Sequence, residues 1–379
     1  MRSIDPAVKS EPRGRWLRHD DPLWLAVLAR LRHDIHHHPA YLRAEARWLG
    51  GRPEAFLHVE GEALWFAPCI VRRAQRPGVE AVGRTLDVVS PYGYPGPIGS
   101  PEHAAPGFCE RAFDAFLAAL RQRGAVSAFL RNHPCLDALP PVDESPLLTE
   151  RAWKTVLIDL DGDLEAIWSR VSRRRRQQIN KCKRVGLQVR RVALRDGLPA
   201  LMGIYDETMD RVGANADARF DAAYFHRLAP LAGHLEVWLV ERRETPIAAT
   251  LVSRRCDIIQ TPVGGTCEAA LADSPDSLLC WELITWGHAT GAGAVHLGGG
   301  VGGRDDGVLR FKTSFGPGRA RFRTVRAVLD PDRYAALTRA RAASLGVAVQ
   351  ALEQTGFFPA YRAELPGDAR AAAPRAAGR

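Results

Sequence analysis

The 379 residues carry a net charge of +9 and are 46% hydrophobic and 25% charged, the balance of a soluble globular protein long enough for two ordinary domains. No apolar run reaches the roughly twenty residues of a transmembrane helix, and the first sixteen residues lack the apolar core of a signal peptide, so the cytoplasm is the default location. Seven cysteines without a Cys-x-x-Cys pair argue against a disulfide framework and read as free, mostly buried thiols in a reducing compartment.

Residues 1–20 are expected to be disordered. A helix is expected from Asp21 to about His37. A second runs from Pro39 toward Leu49 and stops at Gly50-Gly51. The His33-x-x-His36-His37-His38 cluster has metal-ligand residue types, but no cysteine or acid pair supports it, so it reads as a polar helix end before Pro39. Residues 55–60 and 63–71 alternate and form a hairpin across Gly61. Ser90-Pro91-Tyr92-Gly93-Tyr94-Pro95-Gly96-Pro97 is a rigid aromatic loop. An amphipathic helix over 108–123 and a strand over 125–130 follow. Pro134, Pro140, Pro141 and Pro146 then mark a linker.

The pattern restarts with a strand over 153–160 and one helix from about 161 to 186. Helices over 201–212 and 224–232, a hairpin of 235–241 with 247–254, a strand over 258–263 and a helix over 278–290 complete it. Eleven Arg or Lys and no acid lie between Arg170 and Arg195. Such a basic stripe suits a phosphate-rich partner; the plainer reading of Arg173–Arg176 is the wet face of an amphipathic helix.

Residues 294–297 form a short strand, and five glycines fall in the six residues from Gly298 to Gly303. Arg304-Asp305-Asp306-Gly307 then opens a helix containing Phe311-Lys312. Glycines after a strand let backbone approach a ligand closely. Gly298-x-Gly300-x-x-Gly303 also fits a dinucleotide fingerprint, but the acid expected roughly 20 residues on is missing. A P-loop fails, because no Gly-Lys-Ser/Thr follows. A tight, close-packed turn explains the glycines equally well.

Several motifs in order resemble the FemABX-like aminoacyltransferases over about residues 20–340. They are His38-Pro39-Ala40-Tyr41, Pro91 to Pro97, and Phe129-Leu130-Arg131-Asn132-His133-Pro134. Further along come Trp168-Ser169-Arg170 through Ile179-Asn180-Lys181, then Tyr205-Asp206-Glu207-Thr208-Met209-Asp210-Arg211. The last are His296-Leu297-Gly298-Gly299-Gly300 and Phe311-Lys312-Thr313-Ser314-Phe315. The resemblance implies an α/β fold of two tandem GNAT-like domains with mixed central sheets and no coiled-coil arm. The domains would be 21–150 and 151–325, with 326–365 returning to the first and 366–379 a disordered tail.

The resemblance also implies acyl transfer to an amine without a protein nucleophile or cofactor. Founding members take the aminoacyl group from aminoacyl-tRNA and give it to a muropeptide; relatives use other peptides or acyl-CoA, and a lipid-linked acceptor implies peripheral membrane contact. The chain lacks the Arg/Gln-x-x-Gly-x-Gly/Ala pyrophosphate loop of simple GNAT enzymes, which counts against acyl-CoA. Lys312 would stabilise the oxyanion, with Phe311 beside it stacking on an adenine or sealing the pocket. Tyr41, Tyr92, Tyr94, Tyr205 and Arg211 would bind the acceptor. Gly298, Gly299, Gly300, Arg304 and Phe315 would bind the donor. Arg173, Arg174, Arg175, Arg176 and Lys181 would contact the tRNA backbone. The other readings are a solvated Lys312, an Arg211 paired with Asp206 or Asp210, tyrosines packed at a proline-rich turn, and a basic nucleic-acid binder without activity. A cleft lined by Arg211, Arg304 and Lys312 would mark an enzyme.

Overall fold

The computed structural model describes residues 13–74, 85–214 and 219–365. The expected tail of 366–379 and the first twelve residues lie outside them. The first α/β unit contains β1 (Arg13–Arg18), α1 (Pro22–Leu28), α2 (Pro39–Leu49), β2 (Gly51–Glu60), β3 (Ala63–Arg73), β4 (Leu86–Val89), β5 (Ile98–Gly99), α3 (Phe108–Gln122) and β6 (Ala125–Arg131). The second contains β7 (Leu148–Asp159), α4 (Leu164–Arg170), α5 (Arg173–Arg184), β8 (Gln188–Ala193), α6 (Leu194–Arg211), α7 (Ala222–Arg227), β9 (Leu235–Arg242), β10 (Thr245–Arg255), β11 (Ile258–Gln260), β12 (Gly264–Thr266), α8 (Pro275–Ala289), β13 (Ala294–Gly299), α9 (Gly307–Thr313) and β14 (Arg319–Val328). Helices α10 (Pro331–Leu345) and α11 (Val349–Gln354) follow.

Each unit has a mixed half-sheet, with β4–β6 parallel in one and β11–β13 parallel in the other. The two halves are not separate sheets. They join in the order β1-β2-β3-β4-β6-β14-β7-β13-β11-β10-β9-β8. Strand β14 makes the join because both its edges are used, Thr324–Val328 against β6 and Arg319–Ala327 against β7. The chain after β14 packs on the first unit. Tyr361 Oη lies 2.8 Å from Ser127 Oγ, and Arg362 Nε donates to Asp87 Oδ2.

Local chemistry sets the boundaries. Helix α2 starts at Pro39, where the missing N–H costs nothing, and ends at Gly50 with φ 72°. Three segments differ from expectation. Residues 13–18 are a strand rather than disordered chain; the arginine-rich composition hides Leu17, which is buried, and Trp16, which packs at 5.3 Å against Phe56. The first helix stops at Leu28, and a 3-10 turn at Ile35–His37 precedes α2. The long helix expected over 161–186 is two helices, because Val171 is extended and buried and the Ser172 hydroxyl caps α5 by accepting from Arg175 N at 3.3 Å.

One hydrophobic core packs α3 against β2, β3 and β6 through Phe56, Trp65, Phe113 and Phe116. Another packs α4, α5 and α8 on the second half-sheet through Ile179, Trp238, Ile284 and Val295. A third spans the units, with Ile35, Tyr41 and Ala44 against Leu201, Tyr205, Phe220 and Tyr224. This shared core fixes the seam where the cavity lies.

Candidate active site

At the seam is a cavity of about 350 Å³. The first unit contributes His36, Tyr92, Gly93, Tyr94, Phe129 and Arg131; the second contributes Gln260, His296, Gly298, Gly299, Gly300 and Lys312, with Trp153, Phe322 and Arg326 on the joining strands.

The glycine loop exists because the backbone must bulge. The pairing of β13 with β7 slips between His296 and Gly298, and Gly298 takes φ 77°, which favours glycine. Gly300 abuts the carbonyl of Arg304, where any Cβ would collide. Asp306 closes the loop by accepting from Val301 N at 2.9 Å and capping α9 through Leu309 N at 3.0 Å. This geometry holds Lys312, one turn into α9, against β13.

Lys312 Nζ donates to Gly299 O at 2.7 Å. Among the described residues no ion pair involves it. Burial pushes its ammonium down to about 8, against the raising influence of Cys280 and Asp306. Tyr94 crosses the seam beside it: the Gly299 backbone hydrogen-bonds its hydroxyl, and its ring meets His296 edge-on at 4.5 Å. Charge poised in a largely desolvated cavity is what stabilising a tetrahedral oxyanion requires.

Of the residues selected from sequence, Tyr92, Tyr94, Gly298, Gly299, Gly300 and Lys312 line the cavity; the others do not. Tyr41 is buried behind the wall, donating to Tyr92 O at 3.2 Å. The Tyr205 hydroxyl accepts from Phe220 N at 3.1 Å within the shared core. Arg211 donates to Thr266 O at 2.9 Å, rather than pairing with Asp206 or Asp210. Arg304 is exposed and bonds Val301 O. The cleft is therefore lined by Lys312 without Arg211 or Arg304.

Phe311 on α9 and Phe315 just beyond its end lie under Arg175, whose guanidinium is 4.2 and 5.4 Å from their rings. Arg175 itself is buried and donates to Ser314, Gln178 and Ser277 at 2.7–2.9 Å. It is thus corrected from a tRNA contact to a buried brace between α5, α8 and α9. Arg173 and Arg174 are exposed, and Arg176 is half-buried. Acids from distant segments neutralise part of the stripe: Lys181 pairs with Asp273, Lys183 with Glu282, Arg190 with Glu241 and Arg191 with Glu236.

The sequence reading missed a buried polar network behind the cavity. Asp34 Oδ2 accepts from His36 Nδ1 at 3.2 Å, His133 Nε2 at 2.8 Å and Gln260 Nε2 at 2.6 Å. Gln260 Oε1 lies 3.0 Å from His296 Nδ1. Burial pushes the Asp34 carboxyl up, but His36 and His133 outweigh it and hold it well below the usual carboxylate range. His36 and His37 are buried rather than a polar helix end. The available signal was the histidine in two of the family-like motifs, His133 and His296.

Comparison with known proteins bears on the second unit and on the fold. Residues 169–313 match the family model of the acetyltransferase (GNAT) domain. No curated protein matches the sequence. The fold is similar to the crystal structure of FemX, with a TM-score of 0.61 and 12% identity over 85% of this chain and 99% of that one. It is also similar to the C-terminal domain of a putative lysylphosphatidylglycerol synthetase from Agrobacterium fabrum (TM-score 0.51, 16% identity, 84% and 94% of the two chains). L-PGS from Bacillus licheniformis gives 0.50 and 16%, covering 82% and 92%. The second unit thus carries a segment that matches the acetyltransferase (GNAT) domain. More narrowly, the arrangement of two α/β units sharing one mixed sheet is similar in fold to FemX.

Proposed function

We propose that the protein transfers an aminoacyl group from aminoacyl-tRNA to an amine of a peptide, either a peptidoglycan precursor or a peptide natural product. The observation that carries the reading is Lys312, held desolvated in the seam cavity against the glycine bulge. A carbonyl seated there would develop negative charge beside a fixed cation as the amine attacks. The similarity to FemX and to proteins named for lysylphosphatidylglycerol synthesis supports an aminoacyl donor. The tRNA reading draws on α5, which Arg175 braces against α9 while Arg173, Arg174 and Arg176 form no ion pair among the described residues. The GNAT domain match favours a second donor, acyl-CoA.

Purified protein incubated with charged tRNA or acyl-CoA and a panel of amines separates the two. Transfer from charged tRNA that weakens steeply with salt supports the proposal. Transfer from acyl-CoA with no response to charged tRNA reverses it.

A further inference from the structure

The network behind the cavity fixes where each proton sits. His133 Nδ1 accepts from Cys135 N at 3.1 Å, so its Nε2 carries the hydrogen that it gives to Asp34. The ionised Asp34 accepts only, so the Gln260 atom 2.6 Å from it is the amide nitrogen. The Gln260 oxygen therefore faces His296 Nδ1, and that nitrogen must be the donor. The remaining nitrogen, His296 Nε2, bears a lone pair. It is buried and has no hydrogen-bond partner among the described residues. An unpartnered buried acceptor is costly and calls for a donor to complete it. His296 lines the cavity together with Lys312, and it precedes the Gly298 bulge by two residues.

We propose that His296 Nε2 is the proton acceptor for the attacking amine, locked in the required tautomer by Gln260 and Asp34. The inference rests on the acyl-transfer reading given above. The amine nitrogen attacks the ester carbonyl carbon, a C–N bond forms, and the carbonyl electron pair moves onto the oxygen beside Lys312. One N–H proton passes to His296 Nε2. The oxygen pair then re-forms the carbonyl, and the C–O ester bond breaks. The imidazolium returns its proton to the departing ribose oxygen. The products are an amide and deacylated tRNA, and His296 ends neutral. Burial, with His133 and Lys312 nearby, holds the imidazole well below its usual pKa, which keeps the lone pair available throughout the neutral range. His36 Nε2 also lacks a partner among the described residues. It sits across the seam in the 3-10 turn, so His296 is the one carried by the strand that forms the bulge. In this scheme His296 is catalytic, and Gln260 is a positioning residue.

The test uses full-length His296→Ala, His296→Asn and Gln260→Met with whichever donor the wild type accepts, with near-ultraviolet circular dichroism as the folding control. His296→Ala should lose at least about 100-fold in kcat with acceptor KM nearly unchanged, as removal of a general base does. Added imidazole should restore part of the rate. Gln260→Met should lower kcat without changing KM. Near-normal kcat in folded His296→Ala, or a loss that imidazole does not relieve, overturns the proposal. If His296→Ala does not fold, full kcat in His296→Asn and Gln260→Met overturns it and a fall in both supports it. A wild type that transfers from neither donor overturns the acyl-transfer reading itself, whereas active wild type with equally active variants overturns only the role of His296.

Discussion

Lys312 is effective in this account because, among the described residues, its charge is not tied up in an ion pair. Its Nζ holds only the Gly299 carbonyl, so a developing oxyanion finds a preorganised donor. Lys312→Ala should lower kcat by about 10²–10³ while acceptor binding changes little, measured by steady-state kinetics. The free-enzyme lysine titrates near 8. Because the protonated form is the useful one, kcat/KM should fall as pH rises through about 8, and Lys312→Arg should move that limb upward. Lys312, Tyr94 and the glycines were legible because each lies in a short contiguous motif. The role of His296 was not, because its meaning depends on Asp34, His133 and Gln260, which are far apart in sequence and meet only in the fold. Gly300 was expected to leave room for a donor. The structure assigns it first to the loop itself, against Arg304 O, so Gly300→Val should distort the loop even without ligand.

At the scale of elements, α5 and α9 act as a pair. Arg175 ties them through Ser314 and the Phe311 ring. Arg175→Ala removes a buried guanidinium and leaves its hydroxyl and amide partners without it, so stability should fall by about 2–3 kcal/mol, read from the denaturant midpoint. Replacing Arg173, Arg174 and Arg176 together by Ala should leave stability nearly unchanged. It should weaken tRNA binding and flatten its salt dependence. An equal loss of stability in both variants would show that the arginine run has no division of labour. Sequence could not separate these arginines, since their partners come from elsewhere in the chain. It also merged α4 with α5, because the capping signal of Ser172 is a single hydroxyl inside an apparently continuous helical pattern.

At the scale of the whole molecule, the two units share β14 and the Tyr41–Tyr224 core. Heating should therefore give one cooperative transition by calorimetry; two well-separated transitions would contradict the shared sheet. The alternation of helix and strand led to the expectation of two units, each with its own central mixed sheet, whereas the halves join in one sheet. That alternation could not foretell their fusion, because both edges of strand β14 pair with partners more than 160 residues earlier in the chain, Arg131 and Val156 lying on opposite sides of it. Stability should also depend on acid. Burial pushes His37 down to about 3, so below about 6.5 the unfolded chain binds a proton that the folded chain refuses. Stability should then fall as pH drops from about 6.5 toward 3, by up to about 1.4 kcal/mol per pH unit from this group. His37→Gln, which keeps a donor for Gly96 O and an acceptor for Asp34 N, should reduce that slope in denaturation midpoints taken at pH 7 and pH 5.

The central claim is that a half-buried lysine at the seam drives transfer from an aminoacyl ester to an amine. The most direct measurement follows radiolabelled amino acid from charged tRNA into amide product, comparing wild type with folded Lys312→Ala at equal donor occupancy. The account predicts transfer by the wild type and a loss of about 10²–10³ in the variant. Equal rates in the two proteins, or no transfer from charged tRNA alongside robust transfer from acyl-CoA, would contradict it.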